Sequence, residues 1–211
     1  MAFPHKLYLV TNEVACKGKK LLDVVAAAVK GGVDIVQFRD KHISDEAFTN
    51  TATELQYLLS KNNIPLIIND RWQIAQFINA YGVHVGNSDL SPTAIKAAWP
   101  QCNCLGYSIE YEEQLKNTEI IPSDYLGISP VYNTSTKVDT VREWGLDGIR
   151  WMRKATTKPL VAIGNINLTN VADVIKAGAD CVAVVSAICN ADDPEKAAAM
   201  LRNEIEKNTR S

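Results

Sequence analysis

Long apolar runs, paired cysteines, clustered histidines and an excess of either charge are all missing from this chain of 211 residues, and each absence excludes something. No apolar stretch approaches the ~18 residues that a membrane-spanning helix needs, so no membrane partner is expected. The opening "MAFPHKLYLVTN" has no long apolar segment and no small-residue cleavage site, and we expect no signal peptide. The five cysteines, Cys16, Cys102, Cys104, Cys181 and Cys189, are odd in number and never stand as Cys-x-x-Cys. That argues against a disulfide framework or a zinc site and for reduced structural thiols in the cytoplasm. The three histidines, His5, His42 and His84, are scattered, and none has a cysteine or second histidine at ligand spacing. Twenty-two basic against 24 acidic side chains leave a formal charge of -2, too little for a general attraction to nucleic acid. Any anion site must therefore be local. No Ser/His/Asp or Cys/His constellation announces nucleophilic catalysis.

What the chain does have is rhythm. Short apolar runs alternate with longer stretches at helical spacing. Strands are predicted at 7–11, 34–39, 65–70, 82–86, 104–108, 125–129, 159–164 and 181–186. Between them, "LLDVVAAAVKGG" (21–32) reads as a helix stopped by a glycine pair, and "NVADVIKAGAD" (170–180) as one ending on Gly178. Eight strands alternating with helices predict a parallel sheet covered on both faces, and eight is the count that closes a (β/α)8 barrel. The expectation is thus an α/β protein, a compact single-domain TIM barrel over 1–211, with an open doubly wound sheet as the alternative. A Rossmann fold is disfavoured, because no Gly-x-Gly-x-x-Gly follows the first strand.

In such proteins the chemistry gathers at the C-terminal ends of the strands. The second strand runs into "QFRDK", and period-2 alternation puts Gln37, Arg39 and Lys41 on one face with Phe38 on the other. Two inward cations are costly unless an anion meets them; salt bridges to local acids such as Asp40 are the alternative. The third strand ends on Asn69 and Asp70, and the fourth leads through "GNSD" to Asp89. Carboxylates beyond adjacent strand ends can share one ion, and two acids with phosphate oxygens and water suit Mg2+. Helix N-capping competes for both, more strongly for Asp89. The fifth strand ends at Ser108. The sixth opens into "PVYNTSTK", where Thr134, Ser135, Thr136 and Lys137 could wrap a phosphate in a lid-like loop. "AIGNI" and "VVSAI" place Gly164, Val185 and Ser186 after strands seven and eight, where TIM barrels repeatedly bind phosphate. Two anion subsites, one of them with a metal, suit an enzyme that joins two phosphorylated molecules.

The segments "LYLVTN", "VQFRDK", "PLIINDRW", "YGVHVGNSDL", "GYS", "SPVYNTSTK", "GLDGI", "VAIGNI" and "GADCVAVVSAI", spread over about residues 7 to 190, resemble the thiamine-phosphate synthase family. The resemblance implies a transferase of thiamine biosynthesis. It would join 4-amino-2-methyl-5-diphosphomethylpyrimidine to a thiazole phosphate, or to its carboxylated form with loss of CO2, and release pyrophosphate. It further implies that Gln37, Arg39, Lys41, Asn69, Ser108 and Lys137 hold the pyrimidine diphosphate, with Arg39, Lys41, Lys137 and Ser108 acting catalytically. Asp70 and Asp89 would bind Mg2+, and Thr134, Ser135, Thr136, Gly164, Val185 and Ser186 the thiazole phosphate. The oligomeric state is left open, a homo-oligomer included. The chain departs from the family at Asn165, where a second glycine is common, at Ile109 and Glu110 after Ser108, and at "GNSD". A thiazole tautomerase of the same superfamily is the nearest rival, but it tends to carry a histidine where this chain has Glu110. A metal-dependent sugar-phosphate epimerase would want more histidine ligands. A catalytically silent phosphate-binding barrel is the third alternative.

Overall fold

A computed structural model describes residues 3–11, 13–133 and 142–209. Its eight parallel strands are β1 (Leu7–Thr11), β2 (Ile35–Phe38), β3 (Leu66–Asn69), β4 (Gly82–Val85), β5 (Cys104–Ile109), β6 (Tyr125–Ile128), β7 (Leu160–Ile163) and β8 (Cys181–Val184). They pair in sequence order, and β1 also pairs with β8, Tyr8 opposite Ala183, so the sheet closes. That closure decides for the barrel over an open sheet. The predicted strands are all present, most of them trimmed by a residue or two where the chain leaves the ladder.

The helices are α1 (Leu21–Lys30), α2 (Asp45–Ser60), α3 (Trp72–Phe77), α4 (Pro92–Ala98), α5 (Gly145–Ala155), α6 (Val171–Ala177), α7 (Ser186–Cys189) and α8 (Pro194–Asn208). The crossover from β5 to β6 uses the 3-10 turns Glu112–Lys116 and Thr118–Ile120 instead. Among the described residues, no helix is long and apolar enough to cross a membrane. Helix starts follow the local chemistry. The Ser44 hydroxyl accepts the Ala47 N–H to start α2, Ser91 does the same for Ala94 in α4 ahead of Pro92, and Asp193 caps α8 ahead of Pro194. In α2 the buried residues are Phe48, Ala52, Leu55 and Leu59, one stripe at helical spacing. Each large apolar side chain so buried contributes roughly 1.5–3 kcal/mol.

The core has two layers. Between strands and helices lie residues such as Leu9, Val36, Ile68 and Leu105, with the tilted rings of Phe38 and Phe48 centred 4.3 Å apart. Inside the barrel lie their strand alternates, including Tyr8, Ile35, Ile67, Tyr125, Val161 and Cys181.

The N-terminal rim is held by a device used three times. Asp34, Asp124 and Asp180 each stand just before an even-numbered strand. Each donates its own N–H to the carbonyl of a leucine opening the preceding strand or one residue into it (Leu7, Leu105 and Leu160, at 3.1, 2.7 and 2.9 Å). Each carboxylate then accepts the N–H of that same leucine, at 3.1, 2.8 and 2.8 Å. Asp34 is further gripped by Arg202 of α8 at 2.6 Å and Asp180 by Arg153 of α5 at 2.7 Å.

Candidate active site

At the opposite, C-terminal rim the strand ends surround a cavity of about 450 Å³. Gln37, Arg39, Lys41, Asn69, Asp70, Asp89, Ser108, Gly164, Val185 and Ser186 all line it. The structure therefore brings these sequence-predicted residues together. Thr134, Ser135, Thr136 and Lys137 lie outside the described residues.

One side of the cavity is charged. The Asp70 backbone is left-handed, at φ +60°, a conformation that Asp tolerates better than most residues. It begins a tight turn in which the Arg71 N–H donates to the Asn69 carbonyl at 2.7 Å and the Trp72 N–H to the Asp70 carbonyl at 2.8 Å. The turn directs the Asp70 carboxylate at the cavity rather than at the start of α3, whose N-cap side chain makes no capping bond. Asp89 does not cap α4 either. Ser91 performs that task, and the Asp89 carboxylate folds back onto the Gly86 N–H at 2.8 Å. The two acids meet. Burial first, then the charge of Asp89 and a hydrogen bond to it, push the Asp70 carboxyl up to about 6, against the pull of Lys41. Lys41 Nζ lies 3.4 Å from Asp70 Oδ2, so its ion partner is Asp70 and not Asp40, whose carboxylate accepts the His42 N–H. Among the described residues, Arg39 has no hydrogen-bond or salt-bridge partner, which leaves its guanidinium for an anion in the cavity.

Arg71, next in sequence, points away and ties this region down. It donates to Asp45 Oδ1 at 3.0 Å and to the Ile43 carbonyl at 2.8 Å, and its guanidinium lies 4.4 Å from the centre of the Phe48 ring. It thereby fastens the turn bearing Asp70 to the loop bearing Lys41.

The other side of the cavity is built from backbone. Gly164 has φ +117°, and a Cβ there would lie 2.6 Å from Pro130 Cβ and 2.8 Å from Pro130 Cα. Only glycine fits this approach. The Val131 N–H donates to the Ile163 carbonyl at 2.8 Å and the Tyr132 N–H to the Gly164 carbonyl at 3.2 Å, so the chain leaving β6 is stitched onto the end of β7. Asn165 follows at φ +50°. Asparagine visits this region readily, and the Asn170 side chain secures its carbonyl at 3.1 Å, so the side chain in place of a second glycine is accommodated. Ser186 opens α7 and Val185 precedes it.

The barrel floor holds residues that sequence reasoning passed over. Tyr8, His84 and Tyr125 also line the cavity. His84 and Tyr125 stack with ring centroids 5.5 Å apart across Gly106, the strand partner of both, where a side chain would collide with either ring. A signal was available: in "GVHVG" the alternation sets His84 on the face opposite Val83 and Val85, hence inward.

A sequence family described as thiamine monophosphate synthase matches residues 7–188. The chain belongs to that family. A thiamine-phosphate synthase of Albidiferax ferrireducens is 47% identical over 201 residues, covering 95% of this chain and 92% of the relative. One of Leptospira biflexa is 42% identical over 203 residues, covering 94% and 97%. Among solved structures, a thiamine phosphate pyrophosphorylase from Pyrococcus furiosus superposes with a TM-score of 0.89 at 30% identity, covering 97% of each chain. Family membership and barrel thus agree with the resemblance drawn from the strand ends.

Proposed function

We propose that the chain is a thiamine-phosphate synthase that joins the aminopyrimidine diphosphate to a thiazole phosphate, carboxylated or not, and releases pyrophosphate. The observation that supports this most is the single cavity in which a carboxylate pair and the cation Arg39 face a glycine-built corner. One side suits a diphosphate with a metal ion, the other a monophosphate.

The acid pair fits Mg2+. Burial and the neighbouring Asp89 raise the Asp70 carboxyl to about 6 although Lys41 offsets part of the charge, so a pair of carboxylates with one lysine still accepts a cation, and oxygen donors are what this ion takes. Among the described residues no cluster of three or more such ligands forms, so phosphate oxygens and water would complete the shell. Asp70 and Asp89 would hold the ion, which when bound supplies charge neutralisation to the leaving diphosphate. Arg39 binds the diphosphate with its planar fork and Lys41 adds a point charge. Both stabilise the negative charge that develops as the methylene–oxygen bond breaks and its electron pair leaves with the diphosphate. Gln37, Asn69 and Ser108 orient the pyrimidine, whose amino-substituted ring carries the resulting positive charge. The Gly164 backbone, with Val185 and Ser186, seats the thiazole phosphate. The thiazole nitrogen lone pair is thereby positioned to form the new carbon–nitrogen bond. Lys137, Thr134, Ser135 and Thr136 join these roles by family resemblance. No protein nucleophile is required. The tautomerase reading finds no support at Glu110, which is hydrogen-bonded to Asn87 at 2.8 Å. Five buried thiols suit a reducing, cytoplasmic setting.

The test mixes purified protein, both substrates and Mg2+ and measures pyrophosphate. Release that depends on the thiazole phosphate is expected. Release without it, or none, overturns the reading.

A further inference from the structure

A line of hydrogen bonds crosses the barrel floor from β2 to β5. Gln37 Nε2 donates to the Tyr8 hydroxyl at 3.0 Å. The Tyr8 and Tyr125 hydroxyls lie 3.0 Å apart. The Tyr125 hydroxyl lies 3.0 Å from His84 Nδ1, and His84 Nε2 lies 2.9 Å from Ser108 Oγ. Both end residues face the cavity.

Each hydroxyl, and the imidazole while neutral, has one proton to give, so when every proton in the line is used a single donor at one end fixes the direction of the rest. Gln37 sets it. Its amide N–H cannot accept, so among the described residues the Tyr8 proton has only the Tyr125 oxygen to go to. Tyr125 gives its own to His84 Nδ1. The imidazole therefore carries its proton on Nε2 and donates to Ser108 Oγ. The Ser108 hydrogen is left for the cavity, as is Gln37 Oε1 at the other end. Burial pushes the acidity of both tyrosines far out of reach, so neither phenol ionises to interrupt the line.

We propose that Tyr8, Tyr125 and His84 are positioning residues that lock this polarity, so that the cavity presents an acceptor at Gln37 and a donor at Ser108. A ring that offers an amino N–H to Gln37 and an unprotonated ring nitrogen to Ser108 matches that pair. The oxo form of the same ring, with a carbonyl and a ring N–H, opposes it at both ends. The match to an aminopyrimidine rests on the function proposed above; the direction of the line does not.

The test is the tautomer of His84, read by long-range proton–nitrogen NMR on the full chain with ring nitrogens labelled, the signal assigned by its loss in His84→Gln. The parent should show the Nε2–H tautomer. Gln37→Glu introduces an end group that only accepts once it is ionised, so at a pH above its titration the whole line should reverse to give the Nδ1–H tautomer. Tyr125→Phe, nearly isosteric, should cut the line and give a mixture, and should raise KM for the pyrimidine about tenfold while kcat changes less. An Nδ1–H tautomer in the parent overturns the proposal. So does a single tautomer unchanged in both Gln37→Glu and Tyr125→Phe. If the tautomer behaves as stated but no pyrimidine is turned over, the functional reading fails and the ordered line stands.

Discussion

The two sides of the cavity meet negative charge by different means. Near β2 to β5 the tools are formal charges on side chains: Arg39, Lys41, and the Asp70–Asp89 pair. Near β7 and β8 they are backbone shape, carried by Gly164 at φ +117° and Asn165 at φ +50°. A charge can be deleted from the first side without disturbing the fold, whereas the second side depends on conformations that a single Cβ forbids. Deleting charge should therefore cost rate, and adding atoms to the backbone side should cost binding.

The sharpest way to break this contrast is Asp70→Ala. Turnover should fall about 10³-fold, comparable to removing a strong electrostatic contact in a transition state, with an unchanged circular dichroism spectrum. Turnover within tenfold of the parent would move Asp70 to a structural role. Next comes Gly164→Ala, which places a methyl group against Pro130 in a backbone that alanine resists. KM for the thiazole phosphate should rise about 100-fold while KM for the pyrimidine stays within threefold. Equal effects on both substrates would erase the distinction between the sides.

A smaller effect concerns pH and metal. The Asp70 carboxyl titrates at about 6 in the fold against 3.8 ordinarily, so between these values the folded chain holds the extra proton. Through this group stability falls as pH rises from about 4 to 6, and it is lowest above 6, where both carboxylates are charged. Mg2+ should restore it there. At a hundredfold excess over its dissociation constant it stabilises by about 2.7 kcal/mol, or about 5–10 °C in Tm. The gain should be present at pH 7.5 and fade below pH 6. An equal gain at pH 5 would place the ion elsewhere. The smallest change should be Asn165→Gly. Both residues accept the left-handed region, so stability should move by less than about 1 kcal/mol and KM by less than twofold. A large loss would mean that the Asn165 side chain itself takes part.

The same contrast explains what could be read from the sequence. Charged residues just past apolar runs stand out, because Asp70 or Arg39 at the end of a buried strand is costly unless a partner meets it. The barrel followed from eight such runs. Gly164 was visible only as a glycine in a suggestive place; its φ and its distance to Pro130 are properties of the fold. The Tyr8–Tyr125–His84 line was invisible, because its bonds join residues up to 117 apart and tyrosine inside a strand reads as ordinary apolar filling. Arg71 proves to be a strap between two loops, a role that depends on Asp45 and Ile43 being neighbours in space. Capping by Asp89 was the reverse case: local pattern allowed it, but Ser91 holds the position.

The aspartate clamps at the other rim bear on how the molecule opens. Asp34, Asp124 and Asp180 each seal both backbone groups of one leucine on the face far from the cavity. Local opening of the catalytic loops therefore need not propagate into the staves, and the amides of Leu7, Leu105 and Leu160 should rank among the slowest to exchange with solvent. Loops at the cavity rim can then breathe, or be exchanged for others of different length, while the barrel beneath them stays shut.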